Sequence, residues 1–158
     1  MRTFWRVSLV LVAASQAELG LWGTAAPRSL FDNYPGFGHH WIRALGAYNE
    51  HLIRDFAGAE LGFALLLLCA AIWFERRLVL IAGGAFLAAT LPHFAYHLTT
   101  TDAFSTADNT ASLAGFGLEL AVVIGAMTVA TQTQKGEPDA QTATRRAPRT
   151  RSVPSSHL

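Results

Sequence analysis

Charge is in short supply along these 158 residues. Only 15% of them are Asp, Glu, Lys or Arg, where an ordinary soluble domain carries about a quarter. That scarcity, together with 51% hydrophobic residues, excludes a conventional water-soluble domain, and a net charge of +1 offers no basic face for nucleic acid. Cysteine is rarer still. Cys69 stands alone, so no intramolecular disulfide and no thiolate metal site of the CxxC kind can form within this sequence. Its simplest role is that of a small apolar side chain. There is no internal repeat, the ExxH pairs of di-iron bundles are missing, and the single HxxxH lacks the glutamate of metalloprotease helices.

What the chain has instead is four long apolar runs, at residues 7–25, 52–74, 78–98 and 111–131. Crossing about 30 Å of hydrocarbon takes roughly 20 helical residues at about 1.5 Å each, and every run meets that length. The expected fold is all-α: a four-transmembrane-helix bundle over residues 1–134. Arg2 and Arg6 precede the first run, Arg76 and Arg77 lie between the second and third, and Lys135, Arg145, Arg146, Arg149 and Arg151 follow the fourth. By the positive-inside rule these regions face the cytoplasm, so both termini are expected there, in a multi-pass protein of a bacterial inner membrane.

Phe31, Tyr34, Phe37, Trp41, Ile42, Leu45 and Tyr48 punctuate the segment between the first two runs, among the turn residues Pro35, Gly36, Gly38 and Gly46. Such aromatics anchor at the membrane interface, and a short amphipathic helix is expected near residues 40–45, capping the outer mouth of the bundle. Histidines 39 and 40 in this loop read as solvated residues rather than ligands. Residues 135–158 are rich in Thr, Pro, Arg and Ser without apolar periodicity, which predicts a disordered basic tail that touches anionic headgroups.

Ionisable residues interrupt the apolar runs: Glu18, Asp55, Glu60, His93, His97 and Glu119. Each is costly in hydrocarbon unless paired, so such residues face a bundle interior. Counted from the cytoplasmic ends, Glu18, Glu60, His93 and Glu119 fall at a depth of roughly 20 Å, and Asp55 and His97 at roughly 28 Å. Around the second helix Glu60 lies about 140° from Asp55, so the two cannot point at one spot. Asp55 is expected inward, and Glu60 toward another helix or a partner subunit, with Gly58 and Gly62 allowing close approach. His93 and His97 share a face, and Pro92 is expected to kink their helix by leaving the Ala88 carbonyl without a donor.

Two histidines at that spacing, with carboxylates from facing helices, are how bundles hold a divalent metal or haem iron. The candidate ligands are His93, His97, Asp55, Glu18 and Glu119, with His51, Arg54, Glu50 and Asn49 orienting them. A redox-linked or hydrolytic role follows from that set. The competing expectation is a non-enzymatic accessory subunit or small permease, whose buried polar residues form a structural or proton-relay network. Tyr96 is expected to anchor at the interface. The expected partners are the lipid bilayer and either a second copy or a membrane partner subunit.

The run at residues 35–55, with its PG, G, W and G pattern and the string YNEHLIRD, resembles a group of small bacterial four-span membrane proteins. So does the PHFAYH string that ends the third span. Asn49, Glu50, His51, Arg54, Asp55, Pro92, His93 and His97 are the matching positions. The resemblance covers about the first 130 residues and implies an architecture rather than an activity. In overall layout the chain is also similar to DoxX-like four-helix membrane proteins, some of which belong to quinone-linked oxidoreductases.

Arg2, Arg6, the apolar residues 7–14 and the small-x-small Ser15-Gln16-Ala17 also fit a signal peptide, but apolar residues continue to Pro27, long enough for a span that stays. The intact mass of the purified protein tests this. Retention of residues 7–17 is expected, and a product beginning at Glu18 would overturn a four-span reading.

Overall fold

The computed structural model of the protein describes residues 1–132. The expected disorder of residues 135–158 lies outside the described residues. Six helices follow one another: α1 Arg2–Ala25, α2 Pro27–Asn33, α3 Trp41–Ala44, α4 Glu50–Trp73, α5 Arg76–Thr99 and α6 Thr106–Gln132. Four of them, α1, α4, α5 and α6, are long and apolar enough to cross a membrane. They run up and down in a ring, each packed on its two neighbours, with α1 on α4 the most extensive pair. Leu11, Leu21, Leu65, Ile81, Leu118 and Ile124 point outward and exposed. Such a belt suits lipid and would not suit water.

Local signals set the helix ends. The Asn49 side chain accepts a hydrogen bond from the Leu52 N–H at 3.2 Å and caps α4. At the other end of α4, Phe74 adopts the left-handed conformation (φ 47°, ψ 42°), which lets α5 begin two residues later. Arg2 donates to the Phe74 carbonyl at 3.1 Å, and Arg6 donates to those of Ala71 at 2.8 Å and Ile72 at 2.5 Å. The arginines that marked the expected cytoplasmic rim therefore satisfy the last carbonyls of α4, where the helix dipole favours a cation. α5 stays helical through Pro92. α2, which begins at Pro27 and carries an Arg28–Asp32 ion pair at 2.6 Å, was not expected from the sequence.

Two apolar clusters divide the interior. The larger, with Leu9, Leu67, Val79, Phe86 and Val123 fully buried, closes the end of the bundle where α4 turns into α5. The smaller joins Leu30, Phe31 and Ile53 to Trp22, Tyr34, Ile42 and Tyr48 and forms a lid at the opposite end, the loop end. Close approach of α1 to α4 depends on Gly20 and Gly23. A Cβ on Gly20 would lie 2.6 Å from Leu61 Cγ and 2.9 Å from the Ala57 carbonyl, and one on Gly23 would lie 2.6 Å from Ala57 Cβ. Gly58 and Gly62, expected to permit such packing, face open space.

Gly20→Leu is expected to lower the thermal melting point by overpacking this contact, at a cost of about 1–3 kcal/mol, whereas Gly58→Leu should leave the melt unchanged. Equal melts for the two variants would contradict the α1–α4 packing.

Candidate functional site

A polar layer separates the two apolar clusters. There α1 contributes Gln16, α4 Glu60, α5 Thr90, His93 and His97, and α6 Ser112 and Glu119, and all of these line one cavity of about 360 Å³. Tyr34, Trp41, Phe56, Phe104 and Phe116 give it aromatic walls. The cavity exists because the large apolar side chains fill only the other half of the bundle, and the lid closes over what remains.

Glu119 is held by α1. Its Oε1 is 2.8 Å from Ser15 Oγ and accepts from Gln16 Nε2 at 3.0 Å. Ser15 Oγ is also 2.8 Å from the Val12 carbonyl, and one hydroxyl carries one proton. Ser15 therefore either donates to a Glu119 carboxylate or donates to Val12 and accepts from a Glu119 carboxylic acid, so the site accommodates both forms. Glu60 is half-buried, and its Oε2 is buried with no hydrogen-bond partner. An orphaned acceptor of this kind costs about 1–3 kcal/mol until something donates to it.

The histidines converge. His97 Nε2 and His93 Nε2 are 3.1 Å apart, so in the neutral pair one ring donates and the other accepts. His97 is 7% exposed, stacked on Phe104 and packed against Phe116, and its buried Nδ1 has no partner. His93 is exposed, and its ring meets Phe116 edge to face at 4.8 Å. Tyr34 reaches the cavity from the lid. Burial, reinforced by Glu119, Glu18 and Glu60, pushes its phenol up to about 12, so it remains a neutral O–H donor.

One carboxylate ties the lid down. Asp108, in the first turn of α6, accepts from Trp41 Nε1 at 2.9 Å and lies 2.8 Å from His39 Nδ1. Ser105 donates to its other oxygen at 2.7 Å and accepts from its N–H at 3.1 Å, capping the helix. Trp41 in turn donates its backbone N–H to Tyr34 at 2.8 Å and packs on Phe104. His39, expected to be merely solvated, is part of this latch.

Of the five candidate metal ligands, His93, His97 and Glu119 line the cavity, and Asp55 and Glu18 do not. Asp55 is exposed on the outward face of α4, 3.5 Å from His51, and Glu18 is exposed on α1. Arg54 pairs with Glu50 at 2.9 Å and donates to the Thr24 carbonyl at 2.8 Å, clasping the end of α1. Asn49, Glu50, His51 and Arg54 thus serve helix ends and surfaces rather than the cavity. Among the described residues no three His, Cys, Asp or Glu side chains stand close enough together to hold one metal ion. Glu60, expected to face elsewhere, joins the site. Gln16, Thr90 and Ser112 were not anticipated, since uncharged polar residues in an apolar helix give little signal. Comparison with models of known families, with curated proteins and with solved structures finds no match for this chain.

Asp108→Ala is expected to free the lid. Deuterium exchange of the Trp41 amide and its neighbours in residues 34–48 should accelerate by at least about tenfold while α4 and α5 stay protected. Unchanged exchange in residues 34–48 would show that Asp108 is no latch.

Proposed function

We propose that the chain is a multi-pass protein of a bacterial inner membrane whose outer-half cavity binds a compact, amphiphilic organic molecule. The observation that carries this reading is the combination, in the wall of one cavity, of five aromatic side chains with the ionisable residues Glu60, Glu119, His93 and His97, around a volume at the small end of ligand pockets. In this orientation the arginine-capped end of the bundle faces the cytoplasm and the lid faces outward. The role is one of binding, as in a small permease or an accessory subunit, with His93, His97, Glu60 and Glu119 as polar contacts and proton carriers. Glu18, exposed in an apolar zone, marks the face where a second copy or a membrane partner would supply a pairing group.

A second reading, with a divalent metal on His93 and His97 and redox chemistry at the site, is favoured by their 3.1 Å Nε2 separation. Two nitrogens bound to one tetrahedral ion at about 2.0–2.1 Å are held roughly that far apart. Water, the bound molecule or a cavity carboxylate would complete the shell. A porphyrin suits the small volume less well than a single ion does.

Gly115 lines the cavity, and a Cβ there meets nothing within 4 Å, so Gly115→Leu is the variant that adds bulk at its wall from an open position. In liposomes, 4-hydroxybenzophenone should photolabel Trp41, Phe104 and Phe116, and Gly115→Leu should reduce that labelling by at least about fivefold. Labelling confined to lipid-facing residues such as Leu65 and Ile81, unchanged by Gly115→Leu, would overturn the binding reading. For the metal reading, metal content should fall in the His93→Ala/His97→Ala double variant, and equal content in both proteins would sink it.

A further inference from the structure

Granting that the cavity is a binding site, we propose that its ligand is an organic cation, a compact amine or quaternary ammonium. The charge around the cavity has one sign. Glu60 and Glu119 are the charged residue types on its wall, and neither lysine nor arginine lines it. Arg43, between the lining residues Ile42 and Leu45, is exposed and is not part of the cavity wall, while Arg28 is committed to Asp32 and Arg54 to Glu50 and Thr24. The two histidines direct their Nε2 atoms at each other, so those nitrogens are engaged within the pair, and the donors that remain, such as the Tyr34 hydroxyl, are neutral.

Glu60 Oε2 supplies the second argument. It is a buried acceptor without a donor, in a chain whose neighbouring helices bring none to it. A bound anion would add repulsion, and a neutral apolar ligand would leave that oxygen unpaired. A cation in the cavity gives the Glu60 carboxylate a counter-charge in a setting of low dielectric, where the attraction is strong. The walls make the third argument. Trp41, Tyr34, Phe56, Phe104 and Phe116 present π systems to the same volume, and aromatic faces attract a weakly hydrated ammonium or quaternary nitrogen. A small inorganic cation gains less here, because it requires a shell of oxygens or nitrogens that the rings do not provide and no three ligating side chains converge among the described residues.

Shape and charge separate in three probes of nearly equal size: choline, its uncharged carbon analogue 3,3-dimethylbutan-1-ol, and the anionic 3,3-dimethylbutanoate. Each is titrated calorimetrically into the full-length protein in nanodiscs. Choline should bind at least about tenfold more tightly than the alcohol, the anion should bind most weakly, and Glu60→Gln should erase the preference for choline. Glu119→Gln provides a second variant should Glu60→Gln fail to fold, and the comparison of probes on the unaltered protein needs no variant. Equal binding of choline and the alcohol, or tighter binding of the anion, overturns the cation assignment and leaves the binding reading in place. Binding of none of the three also overturns it, and the benzophenone labelling then decides separately whether the cavity binds organic molecules at all.

Discussion

Hydrocarbon offers an ionisable side chain neither a hydrogen-bond partner nor a counter-ion, and the arrangement of this bundle follows from where such side chains can go. Glu60, Glu119, His93 and His97 turn toward one another's space between the helices, with Gln16, Thr90 and Ser112 beside them. They cannot be packed as tightly as leucine and phenylalanine without leaving more polar atoms unsatisfied. The helices therefore close fully only below this layer, and a cavity of about 360 Å³ remains above it.

Two sets of contacts hold that opening in place. At one end Arg2 and Arg6 bind the last carbonyls of α4, and at the other Arg54 binds the last turn of α1, so the α1–α4 pair is fastened at both ends. Between these fasteners Gly20 and Gly23 let the helices touch at Ala57. That contact fixes the rotation of α4. Glu60 lies about 60° around the helix from Ala57 and Asp55 about 160°, so packing on α1 brings Glu60 inward and sends Asp55 out. The lid is fastened separately, through Trp41 and His39 on Asp108. A single carboxylate in the first turn of α6 thus connects the aromatic loop to the helix that carries Ser112 and Glu119.

The number and extent of the long helices were legible because a twenty-residue apolar run has few alternatives in a bilayer. Observed ends differ from the expected spans by a few residues, mostly where polar caps such as Asn49 and Ser105 extend the helix beyond its apolar part. α2 escaped notice because the segment between the first two runs was read for its aromatics and turn residues, although proline at a helix start and the Arg28–Asp32 spacing were both signals for it. At the site, the i, i+4 histidines and Glu119 stood out against apolar surroundings. Depth along a helix can be counted from sequence, but rotation about its axis cannot. The angular argument correctly separated Asp55 from Glu60, yet without the α1 contact it had no means of choosing between them.

Water reaching the polar layer while the outer surface of the same helix stays in lipid is the most direct consequence of this architecture. Ser112 lines the cavity, and Ala114, two residues along α6, is exposed on the outside. In a Cys69→Ser background, the decisive measurement compares the reaction rates of single cysteines at these two positions with a small water-soluble methanethiosulfonate. The reagent needs a thiolate, which forms in a polar cavity and not in hydrocarbon. The Ser112→Cys protein should react and the Ala114→Cys protein should stay silent. Equal rates, or a faster reaction at position 114, would contradict a polar chamber between the helices.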